Sequence, residues 1–283
     1  MSIKYEELSS YFFHQKEGNK FFLEITDRKL DYKAVTDLAQ LFFSKVIDVT
    51  KKETSYKVTL EKLVSKNSFH KNITNDIEQK YGKDSQFSKI DKLSQPTFLH
   101  YYIQALKNSK IETRKKILNL GVNQADEFDV IKSNITNFNE LELLGVDYSV
   151  SAIEIAKEKF KDDLNITLKV GDINKLEDLN LDKYDLIISI GTLQSSGISF
   201  NEKFMEIVQN YLKKDGAMIL GFPNCRWIDT QMIYGAKAKN YSFSELSVLY
   251  KDVMFCKKYL QQKKFRVTIT GKDYIFLTAT SIR

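Results

Sequence analysis

Several features are scarce in this chain of 283 residues, and each scarcity argues against a class of protein. Its two cysteines, Cys225 and Cys256, are too far apart for a zinc knuckle, so we expect neither a disulfide framework nor a metal site. No apolar run approaches the length of a transmembrane helix. The start, MSIKYEELSSYFF, lacks the basic-then-apolar order of a signal peptide. These absences predict a cytoplasmic protein without a membrane partner.

Charge is plentiful but unevenly distributed along the chain. Residues 1–115 contain 21 Lys and Arg against 15 Asp and Glu, and the remaining residues are balanced, so the first part carries the whole net charge of +6. A basic surface of this kind attracts nucleic acid or an acidic metabolite. A solvated, lysine-rich surface is the plainer interpretation, because the excess is well below that of a typical nucleic-acid-binding domain. A nucleic-acid partner is therefore only weakly supported.

From residue 116 onward, short apolar runs alternate with helical patterns. Strands are predicted at 115–120, 141–147, 166–172, 184–190 and 217–222, and helices at 125–135, 149–160, 201–216 and 244–265. Alternation of this kind predicts a doubly wound, mostly parallel sheet with helices on both faces. The stretch 266–280 reads as a hairpin that adds two antiparallel strands. We therefore predict an α/β fold with a seven-stranded, mostly parallel sheet and an antiparallel C-terminal hairpin.

The first 111 residues follow a different pattern. Amphipathic helices are predicted at 31–50 and 95–110, the second with Pro96 in its first turn. The polar stretch 66–94 predicts a loose connection or short helices. We expect a mostly helical N-terminal region, residues 1–111, that covers the sheet domain of residues 112–283 or contributes to its substrate pocket.

Glycine or aspartate stands at the end of each of the first four predicted strands of the sheet. Gly121, Asp147, Asp172 and Gly191 occupy these places in turn. In open α/β sheets, ligands bind outside the carboxyl ends of the strands. A glycine lets the backbone approach a ligand closely, and a carboxylate accepts two hydrogen bonds from a ribose diol. Each feature is weak alone, but four in order predict a site for a nucleotide-like cofactor.

This series of strand ends resembles the class I S-adenosylmethionine (SAM) methyltransferases over about residues 112–283. The resemblance implies SAM as the cofactor and methyl transfer as the reaction. It assigns the three glycine-loop positions of the family to Gly121, Asn123 and Ala125. Asn119 stands at the position where an acid commonly helps to hold the amino group of SAM. The other positions that it implies are Asp147 for the ribose; Tyr148, Asp172 and Ile173 for the adenine; and Ile190 and Gly191 beside the sulfonium.

The loop departs from the family pattern at three positions. Asn123 and Ala125 replace glycines, although Asn tolerates left-handed backbone angles and Ala is small. Asn119 replaces a carboxylate, but its side-chain oxygen still accepts a hydrogen bond. Asp126 and Glu127 at the helix start either restore the missing negative charge or simply stabilise the first turn. The dinucleotide fingerprint G-x-G-x-x-G is not matched, which argues against NAD.

The methyl acceptor is harder to predict. The sequence IGTLQ after the fourth strand differs from the Asn/Asp-Pro-Pro-aromatic motif of enzymes that methylate amino groups in nucleic acids. His100, in an aromatic helix before the first strand, is either a base or orienting group for the acceptor or a packing residue. Arg226, beside Trp227 in the long segment 223–241, either binds an anionic group or is solvated while Trp227 anchors the loop.

Three functions remain open on the sequence alone. The favoured one is a SAM-dependent methyltransferase acting on an O or N atom of a small metabolite. The second is an RNA or protein methyltransferase that docks its substrate through the basic N-terminal region. The third is a catalytically silent Rossmann-like binding protein. The sequence does not predict an oligomeric state.

Overall fold

A computed structural model describes residues 5–26, 29–68, 76–236 and 244–283. The chain divides into two compact units. One comprises Met1–Ile73 and Cys225–Tyr234, and the other comprises Thr74–Asn224 and Gly235–Arg283. We call them the N-terminal unit and the sheet unit. Residues 74–111, which the sequence analysis grouped with the N-terminal region, lie in the sheet unit.

Eight helices and twelve strands make up the regular structure of the described residues. The helices are α1 (Tyr5–Phe13), α2 (Tyr32–Leu41), α3 (Ile77–Tyr81), α4 (Pro96–Asn108), α5 (Asp126–Asn134), α6 (Val150–Lys159), α7 (Phe200–Glu206) and α8 (Ser247–Gln262). The strands are β1 (Lys20–Ile25), β2 (Ser44–Lys51), β3 (Tyr56–Lys62), β4 (Lys116–Leu120), β5 (Glu142–Asp147), β6 (Ile166–Val170), β7 (Tyr184–Ile190), β8 (Leu212–Pro223), β9 (Cys225–Ile228), β10 (Gln231–Tyr234), β11 (Phe265–Gly271) and β12 (Tyr274–Ser281).

The sheet unit contains a seven-stranded sheet in the order β11-β12-β8-β7-β4-β5-β6. Neighbours from β8 to β6 are parallel, whereas β12 runs antiparallel to both β8 and β11. This confirms the predicted mostly parallel sheet with an antiparallel C-terminal hairpin. The strand order reverses between β4 and β7. From this pair, β5 and β6 follow on the side of β4, and β8 follows on the side of β7.

The centre of this sheet is apolar on both faces. All residues of β7 except Asp185 are buried, as are the last four residues of β4. Such continuous burial is typical of parallel strands that helices cover on both sides. One cluster on the sheet includes Leu118, Met218 and Phe204 together with Leu260 of α8. Full burial of one such side chain is worth about 1.5–3 kcal/mol.

Two predicted helices end earlier than the sequence analysis proposed. The helix predicted over 31–50 is wrong in its second half: α2 ends at Leu41, and β2 begins at Ser44. The run from Val46 to Thr50 is rich in β-branched side chains, which favour a strand when a partner such as β3 is available. The helix predicted over 201–216 is observed as α7 followed by a π-helical turn that ends at Tyr211. The strand β8 then begins at Leu212.

The N-terminal unit contains two small sheets that the sequence did not predict. β1, β3 and β2 form an antiparallel sheet in that order, and β9 pairs with β10. Phe12 stacks on Phe42 and meets Phe21 edge-on, with ring centroids 4.7 and 5.3 Å away. Helices still form the larger part of the regular structure before residue 112.

Residues 76–94, the described part of the polar stretch that directly precedes α4, contain α3 and the 3-10 turn Phe87–Lys89, so short helices, one of the two predicted alternatives, are present there. The predicted helix at 95–110 is α4, with Pro96 as its first residue. Phe98 and Tyr102 of α4 pack on the rings of Tyr274 and Phe276 in β12. Among the parts of the chain that the structure describes, no helix has the length and apolar character needed to cross a bilayer.

Asp185 is the only charged side chain of β7, and it connects three strands. Its Oδ2 accepts hydrogen bonds from the backbone amides of Lys116 and Lys115 at 2.8 and 3.2 Å, and its Oδ1 accepts one from Lys213 Nζ at 2.8 Å. Burial alone raises the pKa of Asp185, but these hydrogen bonds outweigh it and hold the pKa below its ordinary value.

We expect Asp185→Asn to lower the free energy of unfolding by about 1–2 kcal/mol at neutral pH, because charge-assisted hydrogen bonds are lost. Since the folded pKa is depressed, the difference from the wild type should be complete above the ordinary pKa and shrink as the pH falls through the folded value. Urea unfolding as a function of pH measures it. Asp182→Asn is the control, because Asp182 forms an exposed pair with Lys116 and should have much less effect. Equal losses in both variants would contradict this assignment.

Candidate cofactor site

The turn after β4 lies at the point where the strand order reverses, and its backbone is left-handed at three residues. Gly121 has φ +76°, and Asn123 and Ala125 also have left-handed φ values of +46° and +60°. Asn adopts this region more readily than most residues, and a left-handed Ala costs about 1–2 kcal/mol. Two of the three expected glycines are therefore replaced, but the backbone conformation that they would adopt is retained.

Gly121 is required by its surroundings as well as by its φ value. A Cβ atom added there would lie 1.9 Å from Thr192 Oγ1, in the segment after β7. Its amide donates to Val146 O of β5 at 2.8 Å. The turns after β4 and β7 thus meet at Gly121, where a side chain would separate them.

Asp147, at the end of β5, holds the neighbouring turns in place. Its Oδ2 accepts from the Asn123 amide at 2.8 Å, and its Oδ1 accepts from the Ser149 amide at 3.0 Å. The side chain is buried, and this burial raises the pKa of Asp147, although hydrogen bonds from the Ser149, Asn123 and Tyr148 amides offset part of the effect. An ionised carboxylate has about four acceptor positions, so the three amides leave one.

The residues predicted for an adenine ring differ in their accessibility. Tyr148 is 48% exposed, directly after Asp147. Asp172 begins the turn after β6 and accepts a hydrogen bond from the Asn174 amide at 2.8 Å. Ile173 is buried in the core. Tyr148 is therefore the most accessible of these side chains.

The turn after β7 carries the residues predicted beside a sulfonium. Ile190 is buried, and Gly191 has φ +74°. The Gly191 amide donates to Gly221 O of β8 at 2.8 Å, and a Cβ at Gly191 would lie 3.3 Å from Pro223. The backbone at this turn is thus close to the carboxyl end of β8.

Two buried polar atoms beside the turn after β4 have no hydrogen-bond partner among the described residues. They are Nδ2 of Asn119, in β4, and Oε2 of Glu127, in the first turn of α5. The other carboxylate oxygen of Glu127 pairs with Lys92 Nζ at 2.6 Å. Unsatisfied buried groups are uncommon in folded proteins and call for an explanation.

The segment 76–95, which precedes α4, runs across the carboxyl ends of these strands. Glu78 of α3 accepts hydrogen bonds from Ser149 Oγ at 3.1 Å, from Ser151 Oγ and from the Val150 amide, so it caps α6. Asn123 Nδ2 donates to Tyr81 O at 3.3 Å. Burial alone raises the pKa of Glu78, but the hydrogen bonds from Ser151, Ser149 and Val150 outweigh it and lower the pKa.

Glu78 and Lys92 were not among the residues predicted from the sequence. The stretch that contains them is polar throughout, and no motif or spacing distinguishes these two side chains from their neighbours. Their positions follow from tertiary contacts with α5 and α6.

The two residues predicted to act on the acceptor have different environments. His100 is exposed on α4, with its ring 5.1 Å from that of Tyr101. Arg226 belongs to the N-terminal unit, where its guanidinium lies 5.0 Å from the ring centroid of Phe43. Burial lowers the pKa of Arg226. Trp227 is buried in the same hairpin, and its carbonyl accepts from Ser68 Oγ at 3.0 Å. Residues 237–241 of the predicted acceptor loop lie outside the described residues.

We expect Gly121→Ala to destabilise the protein and to remove cofactor binding, because the new Cβ would collide with Thr192. Gly18→Ala is a matched control for backbone strain. Gly18 has φ +80°, but a Cβ atom added there would lie 3.8 Å from the nearest other atom. The control should lose about 1–2 kcal/mol of unfolding free energy from strain alone. Urea unfolding and ligand titration compare the two variants, and equal destabilisation with unchanged binding would refute the role of Gly121.

The comparisons with known proteins agree with this geometry. A family model described as a methyltransferase domain matches residues 111–268. No curated protein matches the chain significantly. The fold of CurJ carbon methyltransferase is similar over 98% of this chain and 91% of that one, with a TM-score of 0.52 and 13% identity. At this identity, the similarity establishes the fold alone.

Two further solved structures are similar over smaller parts of the chain. A SAM-dependent methyltransferase from Aquifex aeolicus has a TM-score of 0.45 and 15% identity, with 69% of this chain and 98% of that one covered. Coclaurine N-methyltransferase, bound to N-methylheliamine and S-adenosylhomocysteine, has a TM-score of 0.39 and 22% identity over 45% of this chain. The match spans about a third of that enzyme's length, 36%. The family model covers more than half of the chain, and together with the strand order it shows that the chain belongs to the methyltransferase-domain family and is a SAM-dependent methyltransferase of the class I fold.

Proposed function

We propose that this enzyme transfers the methyl group of SAM to an O or N atom of a small metabolite, and that it binds SAM at the carboxyl ends of β4 to β7. The observation that carries the cofactor site is the left-handed turn at Gly121, Asn123 and Ala125, which Asp147 holds through the Asn123 amide. This turn is left-handed at three residues although only one of them is glycine. That favours a binding function over an ordinary connection between a strand and a helix.

The residues at these strand ends fit SAM chemically. Asp147 has an acceptor position left for a ribose hydroxyl, and the exposed ring of Tyr148 offers a face to adenine. Asp172 and Ile173 would border the adenine on its other side. The methionine part would lie along the turn Gly121–Ala125, beside the unpartnered Nδ2 of Asn119. Ile190 and Gly191 would border the sulfur.

The sulfonium of bound SAM supplies an activated methyl group, so the protein mainly has to align the acceptor and exclude water. Such alignment is worth up to about 7–11 kcal/mol in favourable cases. Segment 76–95 supports the exclusion of water, because Glu78 and Tyr81 bridge from it to α6 and to the turn after β4. A base is needed only for an acceptor that must first lose a proton. His100 remains our candidate for that role, and Arg226 for holding an anionic acceptor.

A small acceptor is favoured over RNA or protein by the charge arrangement of the N-terminal unit. Several of its lysines are paired with acids: Lys33 with Asp37, Lys45 with Glu61, and Lys52 with Glu24. Paired lysines attract phosphates less than an uncompensated basic surface does. Under this proposal the protein is cytoplasmic.

A gel-shift titration tests the rival with a macromolecular acceptor. We expect no shift of tRNA at micromolar protein and 150 mM salt, because the net charge of the chain, +6, is small for a nucleic-acid-binding protein. A shift that weakens steeply with added salt would favour the RNA methyltransferase instead.

Calorimetry with S-adenosylhomocysteine tests the cofactor site. We expect binding by the wild type and at least about tenfold weaker binding by Asp147→Asn, because one charged acceptor becomes a donor. Asp162→Asn, on an exposed residue of the same unit, is the control and should bind normally. The absence of binding by the wild type at millimolar ligand would overturn the proposed cofactor site, and an unchanged affinity in Asp147→Asn would remove Asp147 from it.

The same titration should depend on pH. Burial raises the pKa of Asp147 above its ordinary value, so the carboxylate takes up a proton at a higher pH than an exposed aspartate. We expect the affinity of the wild type to fall as the pH decreases through this raised value, whereas Asp147→Asn should show a flatter profile. Parallel profiles for the two proteins would contradict the role of this carboxylate.

A further inference from the structure

We propose that Lys92 and Glu127 together bind the amino-acid end of the cofactor, with Glu127 Oε2 accepting from the α-ammonium and Lys92 donating to the α-carboxylate. This inference rests on the proposed function and deepens it. It assigns recognition of a free α-amino acid group to two side chains outside the glycine-loop positions of the family. The site would thus prefer adenosine thioethers that carry such a group.

Glu127 is the first reason for this assignment. It is 1% exposed, in the first turn of α5 directly after the left-handed turn. Lys92 pairs with Oε1, but Oε2 is buried and has no hydrogen-bond partner among the described residues. Leaving a buried polar atom without a hydrogen-bond partner destabilises a protein, and more so when the group is charged. A ligand ammonium would satisfy this oxygen.

Lys92 is the second reason. Its side chain is 17% exposed, and its ammonium has three donors, of which one is used by Glu127 at 2.6 Å. Burial alone lowers the pKa of Lys92, but the charges of Glu127, Asp126 and Asp147 outweigh it and raise the pKa. Lys92 is therefore a partly buried cation close to the acids of the cofactor site, with donors left for a carboxylate.

Asn119 supplies a third group of matching chemistry. Its Nδ2 is a buried donor without a partner among the described residues, at the end of β4. Its side chain is a neutral amide, so β4 offers no negative charge to an ammonium. Glu127 supplies such a charge from α5. A zwitterion adds one positive and one negative charge, so the group of Lys92, Glu127 and ligand remains neutral when it forms.

The simpler alternative is that the pair only tethers segment 76–95 to α5. A tether predicts that its loss weakens the fold and affects every ligand of the site alike. Recognition of the amino-acid end predicts a loss that depends on whether the ligand carries that end. The two explanations therefore differ in ligand selectivity, which can be measured without any acceptor or turnover.

The test compares two ligands by calorimetry on the full chain: S-adenosylhomocysteine, which has the amino-acid end, and 5′-methylthioadenosine, which lacks it. We expect Glu127→Gln and Lys92→Met each to weaken S-adenosylhomocysteine about 10- to 100-fold, since each leaves a charged partner unpaired. The affinity for 5′-methylthioadenosine should change less than about threefold. Lys89→Met, an exposed lysine of the same segment, is the control and should alter neither affinity.

Thermal unfolding of each variant shows whether it is folded before its ligand affinities are compared. Glu127→Gln preserves the shape of the side chain, so it carries the test if Lys92→Met fails to fold. Equal weakening of both ligands, or unchanged binding of S-adenosylhomocysteine to a folded variant, overturns this inference. A wild type that binds neither ligand overturns the proposed function itself, and the two failures are thereby distinguishable.

Discussion

The carboxylate of Asp147 is the constraint on which the geometry of the proposed cofactor site depends. Its two oxygens accept hydrogen bonds from amides of different turns, that of Asn123 after β4 and that of Ser149 after β5. The turn after β4 is also joined to β5 itself, where the Gly121 amide donates to Val146 O. Because the left-handed conformations at Asn123 and Ala125 are unfavourable for residues with a Cβ, they need such external hydrogen bonds to persist. The carboxylate thus replaces part of what glycine would provide by its own flexibility.

The segment that crosses these turns is held by polar contacts. Residues 76–95 contact the site through polar groups: Glu78 caps α6, Tyr81 accepts from Asn123, and Lys92 pairs with Glu127. Polar contacts of this kind are exchanged for ligand contacts more readily than apolar packing, because a ligand offers equivalent hydrogen bonds. The cofactor site is therefore bordered by groups that a charged, hydrogen-bonding ligand can satisfy.

The sequence predicted the parts of the protein in which local pattern and tertiary structure agree. The continuous apolar runs, such as that of β7, were sufficient to predict the sheet, whereas the cofactor site at Gly121 and Asp147 stays a prediction. β2 was misread because helical spacing and β-branched composition conflict there, and pairing with β3 decides the outcome. Glu78 and Lys92 could not be found, since a polar side chain acquires its partner only when distant segments come together.

Hydrogen–deuterium exchange with and without S-adenosylhomocysteine tests the central claim most directly, because it reports where the ligand binds. The account predicts slower exchange in residues 119–128, 145–151 and 190–194, which include the turns after β4, β5 and β7, since a ligand there suppresses local opening. Exchange in β1 to β3 of the N-terminal unit should change much less. Ligand-dependent protection confined to the N-terminal unit, with the three turns unchanged, would contradict the account.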